Sequence, residues 1–558
     1  MNKKRKMFLQ LLLGSLVVCM LVSCSYEGQV KPTDLITNTD VENVEEINIK
    51  PNELYELGNE PLHATFYGHY NSYRMPNWGA DLSSKWIQDN LDIHIKAIHA
   101  DGDSKHKLQQ MVASKKLPDI IWGDRGSDLE RLRSAGLLVP LDDYINKYPN
   151  LKKWAGEKIL NLLRSRDGKI YYFPNYYTDK QYGNAGYVVN KRIYRELGQP
   201  KLQTTDDLYN YLKLVKENYP GVVPFETGQA IDGHGIDQLF SAFKEENYSY
   251  TRYLAVASDK KMVSIYQDPG FRESALFIAK LMREGLMTQD AMTQTQDQVA
   301  EKFWNGTVAV HASADPMGMA SIAHAELSAK NPDDGYFFID PIYKEGLDPK
   351  KIYPGTYNIL GWNVATITTS AQNPEAIFAM LDWMTGPEGS AVQMWGPPGT
   401  DGYWTGFQAD GITPQFTSKY GIDQVEIEKI QAVSGKMMWV SNTKYLDETK
   451  INYENTLSED QKNWSTKWQQ QVTWKSQGDD TPFINLIPEP DVEEGLIAIN
   501  LMDIWSKART MAIFGETDEE VLAILDQAHE DSMAAGYQQY LNFITNRWQE
   551  NVKKINHK

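Results

Sequence analysis

The chain has 558 residues, with 74 acidic side chains against 56 basic ones and a formal charge of −18 at pH 7. At about 100–200 residues per domain, this length means two to four domains or one large two-lobed body. Hydrophobic residues at 41% and charged residues at 23% exclude disorder throughout, a single long apolar run excludes a multi-span membrane protein, and the acidic balance leaves no phosphate-neutralising footprint for a general nucleic-acid binder.

Lys3, Lys4, Arg5 and Lys6 precede an apolar stretch from Met7 to about Val22, the layout of a signal peptide over residues 1–23. The stretch is shorter than the ~20 apolar residues of a membrane helix and is interrupted by Gly14 and Ser15. Leu21-Val22-Ser23-Cys24 resembles the lipobox of bacterial lipoproteins, which implies cleavage before Cys24 and acylation, palmitate included, of that residue. Several acyl chains anchor stably where one binds marginally. Cys19 leaves with the signal peptide, so the mature body is expected to hold no disulfide, no free thiol and no cysteine metal site. Residues 24–60 then comprise the lipidated cysteine and a polar, acidic tether expected to be disordered.

After residue 60 the pattern alternates. Leu62–Tyr67 reads as a buried strand, and Asp81–Asn90 as a helix with Leu82, Trp86 and Ile87 on one face. Leu91–Ala97 is the next strand, Lys105–Ser114 a helix, and Pro118–Gly123 a short buried strand. This βαβαβ order predicts a mostly parallel α/β sheet. Leu129–Ala135 is helical, Asp167-Gly168 is a turn before Lys169–Pro174, and Gly186–Asn190 is a strand. A helix over Lys191–Leu197 stops at Gly198, Thr204 or Thr205 caps one reaching about Asn218, and one over Phe271–Glu284 ends at Gly285. Thr307–His311 and Gly361–Ile367 are strands, Asn373-Pro-Glu opens a helix to about Met384, and Glu519 to about Gln549 is mainly helical.

Six segments, in order, resemble the family 1 extracellular solute-binding proteins of bacterial ABC importers. They are Leu117-Pro-Asp-Ile-Ile-Trp-Gly123, Ala135-Gly-Leu-Leu-Val-Pro-Leu-Asp-Asp-Tyr144, Asp167-Gly-Lys-Ile-Tyr-Tyr-Phe-Pro174, Tyr187-Val-Val-Asn-Lys191 with Leu197-Gly198 and Thr204-Thr-Asp-Asp207, Phe303-Trp-Asn-Gly-Thr-Val-Ala309, and Asn373-Pro-Glu-Ala376 with Leu381-Asp-Trp-Met384. They span residues 60–385, and the longer C-terminal part is similar to the large oligosaccharide-binding lipoprotein branch of Gram-positive bacteria. The resemblance implies an α/β, two-lobed periplasmic-binding-protein-like (type II) fold with hinge strands and a helical C-terminal extension. It places hinge crossings near Tyr176–Asn184, Val310–Asp315 and Tyr357–Trp362, hence a first lobe of 61–178 and 312–356 and a second of 184–308 and 362–558. It also implies a non-enzymatic, monomeric protein on the outer face of the cell membrane, which captures an oligosaccharide and passes it to ABC permease subunits. Relatives near the alginate-binding proteins carry a calcium loop, but Lys216–Phe225 lacks its run of oxygen ligands, so no metal or other cofactor is expected. The alternative is a surface polysaccharide-degrading enzyme, glycosidase or lyase, which needs two carboxylates across a cleft; no glycosidase motif, H-E-x-x-H, G-x-S-x-G or P-loop is present.

A sugar presents an apolar C–H face and a hydroxyl rim, so its site needs flat aromatic surfaces and a few fixed polar groups. In α/β sheets such sites lie beyond the carboxyl ends of strands. The loop 67–78 offers Tyr67, Tyr70 and Arg74, the last as a carboxylate clamp, or is a surface loop held by its own aromatics. Trp122 and Asp124 follow the Pro118 strand, with core packing and a turn cap as their alternatives. Tyr176 and Tyr177, Asp315 and Trp362 lie at the expected hinges, and Trp395 flanks a Gly-Pro-rich loop, with packing as its alternative. Trp464, Trp468 and Trp474 read as packing residues.

Overall fold

The computed structural model describes residues 54–230, 233–246, 254–490 and 492–556. The expected signal peptide, Cys24 and most of the tether lie outside the described residues. Residues 54–60, placed in the tether by sequence, pack on the body: the Tyr55 amide donates to the Tyr148 hydroxyl (3.0 Å), and Leu57 is half-buried against the core.

Among the described residues fifteen strands follow in chain order: β1 Leu62–Gly68, β2 Ile93–Ile98, β3 Ile120–Asp124, β4 Phe173–Asn175, β5 Gly186–Asn190, β6 Val223–Glu226, β7 Ala255–Ser258, β8 Lys261–Ser264, β9 Val308–Ser313, β10 Tyr336–Ile339, β11 Gly355–Tyr357, β12 Asn363–Ile367, β13 Trp404–Phe407, β14 Pro414–Phe416 and β15 Gln477–Asp479. Two sheets organise the molecule. The first has the order β2-β1-β3-β12-β4, with β1 parallel to β2 and β3 and with β12 antiparallel to β3 and β4. The second has the order β10-β5-β9-β6, with β5 antiparallel to β9 and β10.

Local chemistry explains why the expected helices form. Thr204 caps the helix Thr205–Asn218 in a reciprocal box with Asp207, Asn373 caps Pro374–Thr385, and left-handed Gly198 and Gly285 end the helices before them. The helix Leu82–Leu91 departs from its expected face: Ser83, Ser84 and Ile87 are buried while Leu82 is 60% exposed. The Ser83 hydroxyl donates to the Val392 carbonyl, so close helix packing, which small residues permit, has displaced the leucine.

Pairing moves the expected lobe boundaries. The segment 312–356, expected in the first lobe, contributes β10 to the second sheet, where Tyr336–Ile339 pairs with Tyr187–Asn190 of β5. Val310–Asp315 is therefore not a crossing; the chain stays with the second sheet through Ile339. The segment 362–558 also divides. β12 and the helices Pro374–Thr385 and Pro387–Trp395 build the first sheet's core, whereas Glu493–Ile513, Asp518–Ala534 and Tyr537–Asn556 bury their faces against Ile265, Tyr266 and the helix Pro269–Arg283. The passages that join the two sheets are 176–185, 340–362 and, with β15 pairing parallel to β11, about 441–482.

Candidate functional site

Strand direction decides which side chains meet. β1 and β3 run parallel, and the register sets Asn363 of β12 opposite both Asp124, the last residue of β3, and Asn175, the last of β4. One end of the first sheet therefore gathers Tyr70 after β1, Asp124 on β3, Tyr176 after β4 and Trp362 before β12. In the second sheet Gly186 of β5 lies opposite Ser313 of β9, which brings Asn184 and Asp315 to one end.

At the first-sheet end the aromatic rings form a corner. Tyr70 and Trp362 each meet the buried Trp122 edge-on, at centroid distances of 5.0 and 5.8 Å, and lie 5.8 Å from each other. Tyr176 lies nearly parallel to Trp362, with centroids 6.3 Å apart and planes 17° apart. A sugar slotted between two parallel faces needs about 7–8 Å, at ~3.5–4.0 Å for each contact. The two rings thus form a stepped surface, and the open face is that of Trp362, which is 43% exposed.

Hydrogen bonds fix this corner from behind. The Tyr70 hydroxyl donates to Asp124 Oδ1 (2.7 Å) and accepts from Asn363 Nδ2 (3.2 Å). Asn363 Oδ1 accepts from Asn175 Nδ2 (2.9 Å), and both asparagines are fully buried. Arg125 donates to the carbonyls of Leu360 (2.8 Å) and Gly361 (2.7 Å), which holds the turn carrying Trp362. Gly361 has φ +67°, and a Cβ there would stand 1.8 Å from the Asn175 carbonyl oxygen, so no other residue fits. Tyr176 itself adopts a left-handed backbone (φ +54°), held by its amide's bond to the Ser441 carbonyl (2.9 Å).

Opposite stands Asp315, just before the helix Met317–Lys330. It is open to solvent yet enclosed by protein, and this desolvation raises its pKa, against the amides of Gly318 and Met317 and the Asn184 side chain. Asn184 Oδ1 accepts from Gln469 Nε2 (2.9 Å), which leaves its amide group to face Asp315. Burial first, and then the charge of Asp315, push the Tyr176 phenol up to about 12, so Asp315 lies within electrostatic reach of that ring. Asp447 has its carboxyl raised by burial, opposed by the Lys450 ammonium 3.4 Å away.

A cavity of about 940 Å³ opens on the corner. Its lining includes Tyr70, Asp124, Arg125 and Trp362, Ile499 and Met502 of the helix Glu493–Ile513, and the basic side chains Lys105, Arg164, Arg166 and Arg547. Its size is at the upper end of the ~300–1,000 Å³ range of small-molecule sites.

Of the residues expected from sequence, Tyr70, Asp124, Tyr176 and Trp362 converge, Trp122 lies beneath them, and Asp315 faces them. Four are corrected. Tyr67 is fully buried and donates to the Ser104 carbonyl (2.7 Å), because β1 points that ring into the core. Tyr177 is buried against Thr385 (2.8 Å), and Trp395 is buried edge-on to Phe416 at 4.8 Å. Arg74 projects into solvent, 3.7 Å from Asp101. Sequence carries no signal for Asn184 and Asp447, and adjacency to Asp124 and Trp362 is the one signal that marks Arg125 and Asn363. Among the described residues, no group of three or more His, Cys, Asp or Glu side chains could hold a metal ion, and no helix is long and apolar enough to cross a membrane.

Residues 79–391 match the family model described as bacterial extracellular solute-binding protein. The fructooligosaccharide ABC transporter substrate-binding protein FusA of Streptococcus pneumoniae is 30% identical over 254 residues, 41% of this chain and 45% of that protein. The polygalacturonan/rhamnogalacturonan-binding protein YtcQ of Bacillus subtilis is 23% identical over 224 residues, 38% of this chain and 42% of that protein. The chain thus spans less than half the length of these curated relatives. The crystal structure of alginate-binding protein AlgQ2 without calcium ion superposes with a TM-score of 0.64 at 17% identity, over 88% of this chain and 98% of that one, and shows the fold.

Proposed function

The chain belongs to the bacterial extracellular solute-binding protein family, and from that premise we propose that it captures an oligosaccharide between its two sheets and delivers it to the membrane subunits of an ABC permease. One observation carries the sugar reading: Trp362 keeps 43% of its surface exposed at the strand ends, beside a cavity of about 940 Å³, on a turn held rigid by Arg125. A large apolar ring held open in this way is a stacking surface. Tyr70 and Tyr176 extend it, Trp122 supports it from below, and Asp124 and Asp315 accept sugar hydroxyls. The passages 176–185 and 340–362 act as the hinge, and contacts formed only when the second sheet's end approaches drive closure. The protein works as a monomer and makes or breaks no covalent bond.

The lipobox-like Leu21-Val22-Ser23-Cys24 supports anchoring through Cys24 on the outer face of the membrane. With labelled palmitate, the wild-type protein takes up label and Cys24→Ser does not; equal labelling of both would remove the anchor from this reading.

The sugar reading is tested by thermal unfolding against a panel of neutral and uronic oligosaccharides. A ligand at about 100 times its dissociation constant adds roughly 2.7 kcal/mol of stability. The expected result is an upward shift with at least one sugar that is recovered intact. Shortened sugar would point to an enzyme, and no shift across the panel would overturn the carbohydrate reading.

A further inference from the structure

We propose that the site selects neutral oligosaccharides and rejects those built of uronic acids. This deepens the oligosaccharide reading and rests on it. The relatives do not decide the matter, since their names include a fructooligosaccharide binder, a polygalacturonan binder and an alginate binder.

The charges around the stacking surface do. The aromatic row Tyr70–Trp362–Tyr176 has a carboxylate at each end, Asp124 bonded to Tyr70 and Asp315 within electrostatic reach of Tyr176. Both are open to solvent, and among the described residues neither forms an ion pair. Asp124 Oδ1 accepts a hydrogen bond from the Tyr70 hydroxyl, which leaves Oδ2 to accept from a ligand hydroxyl. The cations nearby are held elsewhere. Arg125 directs its guanidinium to the carbonyls of Leu360 and Gly361. Lys450 is buried, 3.4 Å from Asp447 and 2.9 Å from Gln469 Oε1. Arg74, the arginine that could clamp a carboxylate, points to Asp101 in solvent. The other basic residues lining the cavity are engaged away from this row, Arg164 by Asp142 (2.6 Å) and Arg166 and Arg547 by Glu489 (2.9 and 2.5 Å), with Lys105 within electrostatic reach of Asp128, so among the described residues no cation is bonded to either Asp124 or Asp315.

A hexose lying on Trp362 meets acceptors at both rims, which suits hydroxyl donors. A hexuronate in the same pose sets its own carboxylate between Asp124 and Asp315, in a cleft that screens charge less well than water does. Like-charge placement of this kind discriminates against the wrong partner.

The test compares oligomers of galacturonic, mannuronic and glucuronic acid, each as the free acid and as its methyl ester, alongside neutral fructan, xylan and mannan oligomers, by calorimetric titration at about 50 mM salt. The tightest binder is expected to be neutral, and any ester that binds is expected to exceed its acid at least ~10-fold, which is about 1.4 kcal/mol. Asp124→Asn and Asp315→Asn, checked for unchanged melting temperature, each narrow that gap by improving the acid. A free acid that is the tightest binder, or that equals its ester, overturns the selection while leaving the oligosaccharide reading intact. If no member of the panel binds, the oligosaccharide reading itself falls, and the selection with it.

Discussion

Two aromatic regions of this molecule look alike in composition and behave as opposites. The corner of Tyr70, Trp122, Tyr176 and Trp362 stands at the strand ends beside the cavity. The cluster of Trp395, Trp404, Phe416 and Tyr420 is packed against the first sheet's helices, with Trp395, Trp404 and Tyr420 fully buried and Trp404 Nε1 donating to the Gly396 carbonyl (2.9 Å). Both carry tryptophans beside glycine turns. What separates them is where the turn falls: after or before a strand at the end of the sheet that opens on the cavity, or between a helix and a hairpin on its flank. Aromatic richness alone does not locate a sugar site; position at the strand ends does.

The sharpest way to break this comparison is to truncate one ring from each region. Trp395→Ala is expected to cost about 3–5 kcal/mol of stability, as for other buried aromatics, with unchanged affinity in the fraction that stays folded. Trp362→Ala is expected to weaken the best sugar by about 2 kcal/mol or more, roughly 30-fold, with little loss of melting temperature. Chemical denaturation and calorimetric titration of the same two preparations read both quantities. If Trp362→Ala unfolds the protein and Trp395→Ala loosens the ligand, the roles are reversed.

The flank region carries a pH signature of its own. Glu454 is fully buried, accepts from Thr466 Oγ1 (3.1 Å) and the Tyr420 hydroxyl, and has Oε2 without a hydrogen-bond partner. Burial pushes its carboxyl up to about 7. The native state therefore holds a proton that the unfolded state, with an ordinary pKa near 4.5, has released. Stability from this group rises as pH falls from about 7 to about 4.5, and the penalty is fully present above 7, at most about 3 kcal/mol. Glu454→Gln is expected to raise the melting temperature at pH 8 and to leave it nearly unchanged at pH 5. A constant offset between variant and wild type at both pH values would contradict this. The smallest effect belongs to Arg74→Ala, which should change stability by less than about 0.5 kcal/mol and leave sugar affinity as it was. A tenfold loss of affinity would bring the 67–78 loop into the site.

Much of the first sheet was legible. Its strands are short buried runs bounded by capping residues and glycines, and the helices at Thr204 and Asn373 carry their caps in sequence. The site was half legible for the same reason, since Asp124, Tyr176 and Trp362 adjoin strands that could be read. What failed was pairing across the chain. Nothing in Tyr336–Ile339 announces that it will join β5 rather than return to the first sheet, and the division of the C-terminal third depends on long-range packing of Trp505 and Tyr537 with Tyr266. Tyr176 and Tyr177 show the limit at its smallest. They are neighbours of one type, and only the left-handed turn at Tyr176 sends one ring to the cleft and the other to the core.

The most direct test of the central assignment is a crystal structure with the tightest-binding oligosaccharide bound. The account predicts a sugar ring lying on the open face of Trp362 with carbon contacts within about 4 Å, its hydroxyls on Asp124 and Asp315. A ligand lodged elsewhere, with the Trp362 face bare, would contradict it.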